Sequence, residues 1–210
     1  MDGLKKIIDG ILAGIMITIG GCVFLSCVAE QNKIVGAILF SVALLCICMR
    51  GYSLFTGKVG FIPENHSKEA FSVLLLGLFG NAIGTIGGGF AAKYAIPNIG
   101  AVADTICQAK LEQEMGQTFI RAIFCGILMY LAVAIYRENK SISGIFFCVP
   151  VFILSGFEHS IANMFYFAAS SIVSLEAFGY LWLVILGNAI GGMLMPALSM
   201  IGNGREKKNG

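Results

Sequence analysis

The side chains that could do chemistry are concentrated in one otherwise apolar stretch, Ser155 to Phe167. It contains a carboxylate, an imidazole and an amide, from Glu158, His159 and Asn163. Ionisable groups are costly inside hydrocarbon, so they usually face a bundle interior or a watery cavity. A neutral imidazole both donates and accepts a hydrogen bond, and its charge changes easily near neutral pH. We therefore expect His159 to border a path for a small solute.

The neighbours of His159 have separate expected roles. In a helix, Glu158 would project to a different side and hold the local backbone in place. Asn163, four residues on, would share the face of His159. A lone apolar-segment histidine is more often a satisfied core residue. Here the polar neighbours, and a matching interruption at Thr56, favour a pore instead.

Patterns for enzymes and cofactors are missing from the sequence. There is no zinc-type His-Glu-x-x-His, no nucleophile elbow and no Cys/His cluster with ligand spacing. His66 lies in a polar loop, where we expect it to be solvated. We expect no catalytic residue, metal or cofactor. An intramembrane enzyme or cofactor-anchor subunit using His159 is kept as an alternative, although a haem anchor would normally need paired histidines.

The composition indicates an integral membrane protein. Of 210 residues, 57% are hydrophobic and 12% are charged, whereas soluble domains carry about 25% charged residues. The net charge of +2 and the scattered basic residues give no nucleic-acid footprint. Seven cysteines without a Cys-x-x-Cys pair are interpreted as small apolar residues.

Six apolar segments approach the length of about 20 residues that a membrane span needs. They are residues 7–28, 34–55, 70–92, 118–136, 143–169 and 178–201. The second is interrupted at its end by Gly51, Thr56 and Gly57, and the fifth between Ser155 and Asn163. Most basic residues outside these segments fall on the side of both termini. The positive-inside bias then predicts a multi-pass protein of the cytoplasmic (inner) membrane with both termini cytoplasmic.

An internal repeat organises these segments. Gly80-Asn-Ala-Ile-Gly84 recurs as Gly187-Asn-Ala-Ile-Gly191, three spans later. An odd number of spans gives the halves opposite orientation, and inverted repeats with broken helices are typical of transporters. We expect an all-α membrane protein of one domain, residues 1–210. Its two inverted three-helix repeats, 7–92 and 118–201, are connected by 93–117, and helices 2 and 5 are broken.

Specific motifs support this interpretation. Gly156-Phe-Glu-His-Ser-Ile-Ala-Asn-Met-Phe165, Leu54-Phe-Thr56 and Thr118-Phe-Ile120 resemble the signatures of the formate/nitrite transporter family of pentameric membrane channels. The resemblance implies an aquaporin-like protomer within a lipid-embedded homopentamer. Each protomer would have its own pore for small monovalent anions or their conjugate acids, such as formate, nitrite, hydrosulfide or lactate.

The resemblance also implies roles for individual residues. His159 would be the central pore histidine, Thr56 its partner, and Glu158 the adjacent family glutamate. Two apolar constrictions would be lined by these residues: Phe40, Leu44, Leu54 and Phe55 on one repeat, Phe152, Ala162 and Asn163 on the other, and also Tyr130. A bare anion is penalised in such a dry passage, whereas a weak acid can cross protonated.

Two positions depart from the family pattern. Glu114 stands where a lysine near the vestibule is usual, and Tyr130 replaces an asparagine. Lys110 lies four residues earlier and could supply the charge only if the loop shifts. At an effective dielectric constant near 20, two unit charges about 4 Å apart interact by about 4 kcal/mol. Replacing a lysine by a carboxylate would therefore turn attraction of an anion into repulsion. A small anion is the preferred cargo, and ammonia/ammonium or a neutral solute such as urea is the alternative.

Overall fold

The protein is helical almost throughout. The computed structural model describes residues 3–170 and 172–209, with side chains except those of residues 97 and 203–209. The tail cations Arg205, Lys207 and Lys208, part of the predicted charge bias, lie outside the described side chains. In chain order the helices are α1 (Gly3–Ala29), α2 (Lys33–Arg50), α3 (Phe55–Lys58), α4 (Lys68–Ala95), α5 (Pro97–Leu111), α6 (Met115–Asn139), α7 (Ser143–Leu154), α8 (Ser160–Ala169) and α9 (Leu175–Asn209).

Five of the described helices are long and apolar enough to cross a membrane. They are α1, α2, α4, α6 and the Leu175–Gly202 part of α9. The predicted fifth segment, 143–169, is instead divided between two short helices, α7 with 12 residues and α8 with 10. A helix rises 1.5 Å per residue, so neither could cross about 30 Å of hydrocarbon alone. The count of six spans remains a prediction.

Helix α5 lies inside the predicted connection 93–117. Pro97 opens it, where a fixed backbone φ and a missing N–H are tolerated. Ile99, Ala103 and Cys107 recur every four residues and are fully buried, which gives α5 one apolar face. That face packs against α1 and α8. The end of α5 therefore comes to lie beside the polar stretch around His159.

Two pairs of long helices, α1 with α4 and α6 with α9, make the tightest contacts of the fold. A Cβ added at Gly84 would lie 2.5 Å from the carbonyl oxygen of Ile11. One added at Gly191 would lie 2.0 Å from that of Ile123. Helices without side chains at such points can approach closely, which is how membrane helices commonly pack. The glycines of the repeated motif thus fix the spacing within each pair.

Both interrupted helices end in the same way. Gly51 and Gly156 have φ angles of +72° and +70°, in the left-handed region that glycine tolerates. After α2, Gly51 N–H donates to Cys48 and Tyr52 N–H to Ile47; after α7, Gly156 and Phe157 repeat both bonds. These are Schellman motifs, which satisfy the last carbonyl groups of a helix. Leu54 follows Gly51 by three residues, and His159 follows Gly156 by three residues, so Leu54 and His159 occupy equivalent positions.

A buried asparagine then holds each break from the opposite helix. Asn81 Oδ1 accepts from Phe55 N–H, and its Nδ2 donates to the carbonyls of Gly10 and Ser53. Asn188 makes the corresponding three bonds, accepting from Ser160 N–H and donating to Ala122 and Glu158 carbonyls. All these bonds are 2.7–2.9 Å long. Each asparagine therefore satisfies backbone groups that a broken helix would leave exposed in an apolar interior.

Candidate functional site

The structure brings together the two residues singled out at the interrupted helices. Thr56 Oγ1 and His159 Nε2 lie 2.9 Å apart, although the residues are 103 positions apart in the chain. Both are buried, with exposed fractions of 0% and 3%. Thr56 lies within α3 and His159 immediately before α8, so each break contributes one partner. The contact is a direct consequence of the two breaks meeting.

The backbone of α8 orients the imidazole. His159 is the N-cap residue, and its Nδ1 accepts a hydrogen bond of 3.0 Å from the Ala162 N–H. An accepting Nδ1 carries no proton, so the proton of a neutral ring is on Nε2. Nε2–H then donates to Thr56 Oγ1. The hydroxyl hydrogen of Thr56 remains available for another acceptor, such as a solute anion.

Apolar side chains surround this polar pair. The Phe152 ring is stacked on the imidazole, with ring centroids 5.5 Å apart and an angle of 17° between the planes. The other residues expected at constrictions are also buried, each with an exposed fraction of 5% or less; they are Phe40, Leu44, Leu54, Phe55 and Ala162. Tyr130 packs beside Phe61 at 5.3 Å between centroids. The pair is thus buried, with an aromatic ring packed against the imidazole.

Two cavities approach the pair from opposite ends of α2 and α6. The Glu158 vestibule, about 330 Å³, is lined by His159, Phe152 and Ala162 and reaches Lys33 at the start of α2. The Lys58 vestibule, about 550 Å³, is lined by Leu44, Leu54 and Gly57 and reaches Arg137 near the end of α6. Among the described residues, no side chain lines both. Phe40, Phe55 and Tyr130 line neither, and their expected role at a constriction remains a prediction.

Glu158 is the centre of a polar cluster in its vestibule. Its Oε2 accepts from Lys110 Nζ at 2.5 Å and from Asn163 Nδ2 at 2.9 Å, and its Oε1 from Gln113 at 3.3 Å. Because His159 precedes α8, Asn163 does not extend a helical face that begins at the histidine. It instead positions the carboxylate. The backbone carbonyl of Glu158 accepts from Asn188 Nδ2, and the expected role of its side chain in holding the break stays a prediction.

The cation of this cluster comes from α5. Lys110 reaches Glu158 without any loop shift, because α5 continues to Leu111. Glu114 lies just before α6, is exposed, and lines neither cavity; its carboxylate accepts from Gln117 at 3.4 Å. The pairing of Lys110 with Glu158 was not predicted from the sequence. The four-residue spacing of buried positions along α5 was the signal that could have revealed the helix carrying it.

Two further groups were missed. Asn81 and Asn188 were passed over within a motif read only for its glycines, although a buried amide repeated in both halves is itself a signal. Lys58 was counted only as one of the basic residues outside the spans. It is half-buried, two residues after Thr56, and lines the second vestibule. Its position depends on the short helix α3.

The chain is similar to known proteins in sequence and in fold. The profile described as formate/nitrite transporter matches residues 1–202. The chain is 30% identical over 79% of its length to "Formate-nitrite transporter 2" of Toxoplasma gondii, and spans 40% of that protein. It is 29% identical over 76% of its length to "Nitrite transporter NirC" of Salmonella typhimurium, and spans 66% of it.

A solved structure is also similar. "Pentameric formate channel with formate bound" aligns with a TM-score of 0.79 and 26% identity, covering 94% of this chain and 96% of the other. The resemblance inferred from the Gly156–Phe165 motif is confirmed, and so is the expectation of a multi-pass membrane protein. The chain therefore belongs to the formate/nitrite transporter family, whose members are membrane channels and transporters and not enzymes.

Proposed function

We propose that this protein is a channel in which each protomer passes a small monovalent anion, or its weak acid, of the formate, nitrite or hydrosulfide type. One observation carries the proposal. Two vestibules converge from opposite ends on a buried Thr56–His159 pair, separated by apolar side chains such as Leu54 and Phe152. We expect such a septum to exclude a hydrated ion, because apolar side chains cannot replace the water that the ion would lose.

The pair gives a crossing solute one donor. A bare anion loses its hydration in an apolar passage at a cost that normally leads to protonation. The Thr56 hydroxyl hydrogen, left free by the Nε2–H bond, can donate to a carboxylate or nitrite oxygen in the septum. A second proton on His159 would require giving up the Nδ1 bond that caps α8. The geometry therefore favours a neutral imidazole that orients Thr56, with the solute taking its proton from water.

The charges in the vestibules support an anion. Basic side chains outnumber acidic ones in both. The Glu158 vestibule has Lys33, Lys110 and Arg121 against Glu158; the Lys58 vestibule has Lys58, Arg137 and Lys140 against Glu64 and Glu69. A charged cleft with low-dielectric walls concentrates ions of opposite sign.

Ammonia/ammonium or urea is the alternative cargo, and it was suggested by Glu114. That carboxylate is exposed and outside both vestibules, so its field at the septum is screened by water. The lysine it replaces has a functional substitute in Lys110 of α5. We accordingly propose the anion as cargo and treat the other solutes as outcomes of the test.

We further propose the topology and assembly that the family implies. The helices form six spans in two inverted repeats, with α2–α3 and α7–α8 as the broken spans and both termini cytoplasmic in the inner membrane. The equivalent Schellman motifs and asparagine bonds support the repeat. The similar solved structure is that of a pentameric channel, which supports a homopentamer.

The test is stopped-flow uptake into proteoliposomes. Formate, nitrite, hydrosulfide, ammonium and urea are compared between roughly pH 5 and pH 8, the range in which an ordinary histidine titrates. We expect the anions to pass, faster at low pH, and Glu114→Lys to change their rates less than about twofold. Lys110→Gln should slow them about tenfold, since it leaves Glu158 unpaired in the vestibule. Passage of ammonium or urea alone would reject the anion and establish the alternative.

A further inference from the structure

The Lys58 vestibule has a feature that passage through the septum does not require. Its deepest basic group, Lys58, follows Thr56 by two residues and is half-buried. Arg137 lines the same cavity, so two like charges face one space. Within the described residues, neither makes a salt bridge, whereas Lys6 pairs with Glu69 and Lys110 with Glu158. Two neighbouring cations therefore share a cavity without a carboxylate bonded to either.

The acidic groups nearby do not compensate them. Asp9 attracts Lys58 but lies more than 4 Å from it. Glu69 is engaged by Lys6 at 2.8 Å. Glu64 is exposed at the cavity wall and has no ion pair among the described residues. Burying charge without a partner is costly, so the half-buried Lys58 ammonium, with the exposed Arg137 guanidinium in the same cavity, favours a counterion from outside the chain.

The donors are arranged for an oxyanion. The Arg137 guanidinium lies over the Phe61 ring, 3.9 Å from its centroid. A guanidinium held over a ring can still offer its N–H groups to other acceptors, in a fork that suits two oxygens. Lys58 adds a mobile ammonium with three donors. The cavity, about 550 Å³, is large enough to admit a hydrated anion beside both.

We propose that Lys58 and Arg137 form an anion-binding site in the Lys58 vestibule that takes a small monovalent oxyanion such as formate or nitrite. The choice of ligand class rests on the proposed function. The anion bridges the two cations, relieves their repulsion, and is held immediately outside the septum, next to Thr56. This site is separate from the Lys110–Glu158 cluster, whose cation already has a carboxylate partner.

A reporter cysteine measures the charge of this vestibule without relying on transport. Asn65 lines the cavity wall and is exposed, so Asn65→Cys combined with Cys48→Ser places one accessible thiol there. Its reaction rates with a negatively and a positively charged methanethiosulfonate are compared as formate replaces gluconate at constant ionic strength. We expect the negative reagent to react faster, and formate to reduce that preference along a saturable curve.

Substitutions then assign the effect to residues. Lys58→Gln should reduce the rate ratio about tenfold at low salt, because the reagents respond oppositely to one potential, and should abolish the formate dependence. Lys58→Arg should retain both. Lys68→Gln, an exposed lysine that does not line the cavity, is the matched control and should change neither.

The outcomes separate this site from the proposed function. If formate leaves the rate ratio unchanged, or if Lys58→Gln behaves like Lys68→Gln, the site is rejected even when formate crosses the membrane. If the saturable effect appears but no anion is taken up by proteoliposomes, the site stands and the proposed channel function fails.

Discussion

At the scale of single residues, His159 has two tasks that can be separated. Nδ1 caps α8, and Nε2 holds Thr56. A histidine is unusual as an N-cap, where Asn, Asp, Ser and Thr are preferred. The ring is suited to this position because one planar group reaches the helix backbone and the opposite break at once. Loss of transport on replacing His159 would therefore not by itself prove a chemical role.

Two substitutions resolve these tasks. His159→Asn can still cap α8, whereas His159→Ala cannot, so we expect the alanine variant to be less stable by about 1 kcal/mol. Both remove the donor to Thr56, and both should lose most formate uptake if that bond matters. Thermal unfolding in detergent and stopped-flow uptake give the two readouts. Normal uptake by His159→Asn would show that the imidazole only caps the helix.

At the scale of elements, helix pairing depends on places where backbones touch. Gly191 of α9 lies against Ile123 of α6, and no atom beyond the helix's own backbone lies within 4 Å of the Cβ position at Gly179 of α9. The two glycines belong to one helix but have opposite surroundings. One is needed for close approach, and the other is a weak helix former on an exposed face.

Alanine substitutions test this difference. Gly191→Ala must push α6 and α9 apart, since its Cβ would lie 2.0 Å from a backbone oxygen that cannot move alone. We expect a loss of about 1–3 kcal/mol in the free energy of unfolding, as for other overpacked sites. Gly179→Ala should be neutral or stabilising by up to about 1 kcal/mol. Denaturation followed by the fluorescence of Trp182 would measure both, and equal effects would contradict the packing argument.

At the scale of the whole molecule, the outer surface is strongly apolar. Large side chains such as Leu75, Phe79, Phe90 and Leu186 are more than half exposed. Lipid tails and neighbouring protomers can both cover such faces, and small residues on the α4 surface, including Gly87, permit close contact. Because both vestibules lie within one chain, a protomer in an assembly would keep its own pore.

Assembly and independence of the pores can be measured together. Native mass spectrometry should give a mass of about five times the 22.3 kDa chain. Mixtures with Thr56→Val, in which the hydroxyl donor is lost, should show formate uptake that falls in proportion to the variant's share. A steeper fall would mean that neighbouring protomers cooperate. A monomeric mass with full uptake would reject the pentamer and leave the protomer pore intact.

The sequence by itself determined the membrane class, the main helices and the two interruptions. These follow from local properties, because the length of an apolar run sets the span and a glycine that adopts a positive φ ends a helix. It also identified Thr56, Glu158 and His159, since polar groups in apolar runs stand out. The resemblance to the family signature implied that Thr56 is the partner of His159 and that Glu158 is the glutamate beside it.

Only the tertiary structure decided which groups meet. Thr56 contacts His159 across 103 residues, and Lys110 reaches Glu158 because the predicted connection 93–117 contains α5, which continues to Leu111. Leu54, not Thr56, is the positional equivalent of His159. Such pairings depend on how helices pack around Asn81 and Asn188, and packing joins residues that no local pattern links. The sequence sets which polar and apolar side chains each helix carries, whereas the fold determines which of these side chains come into contact.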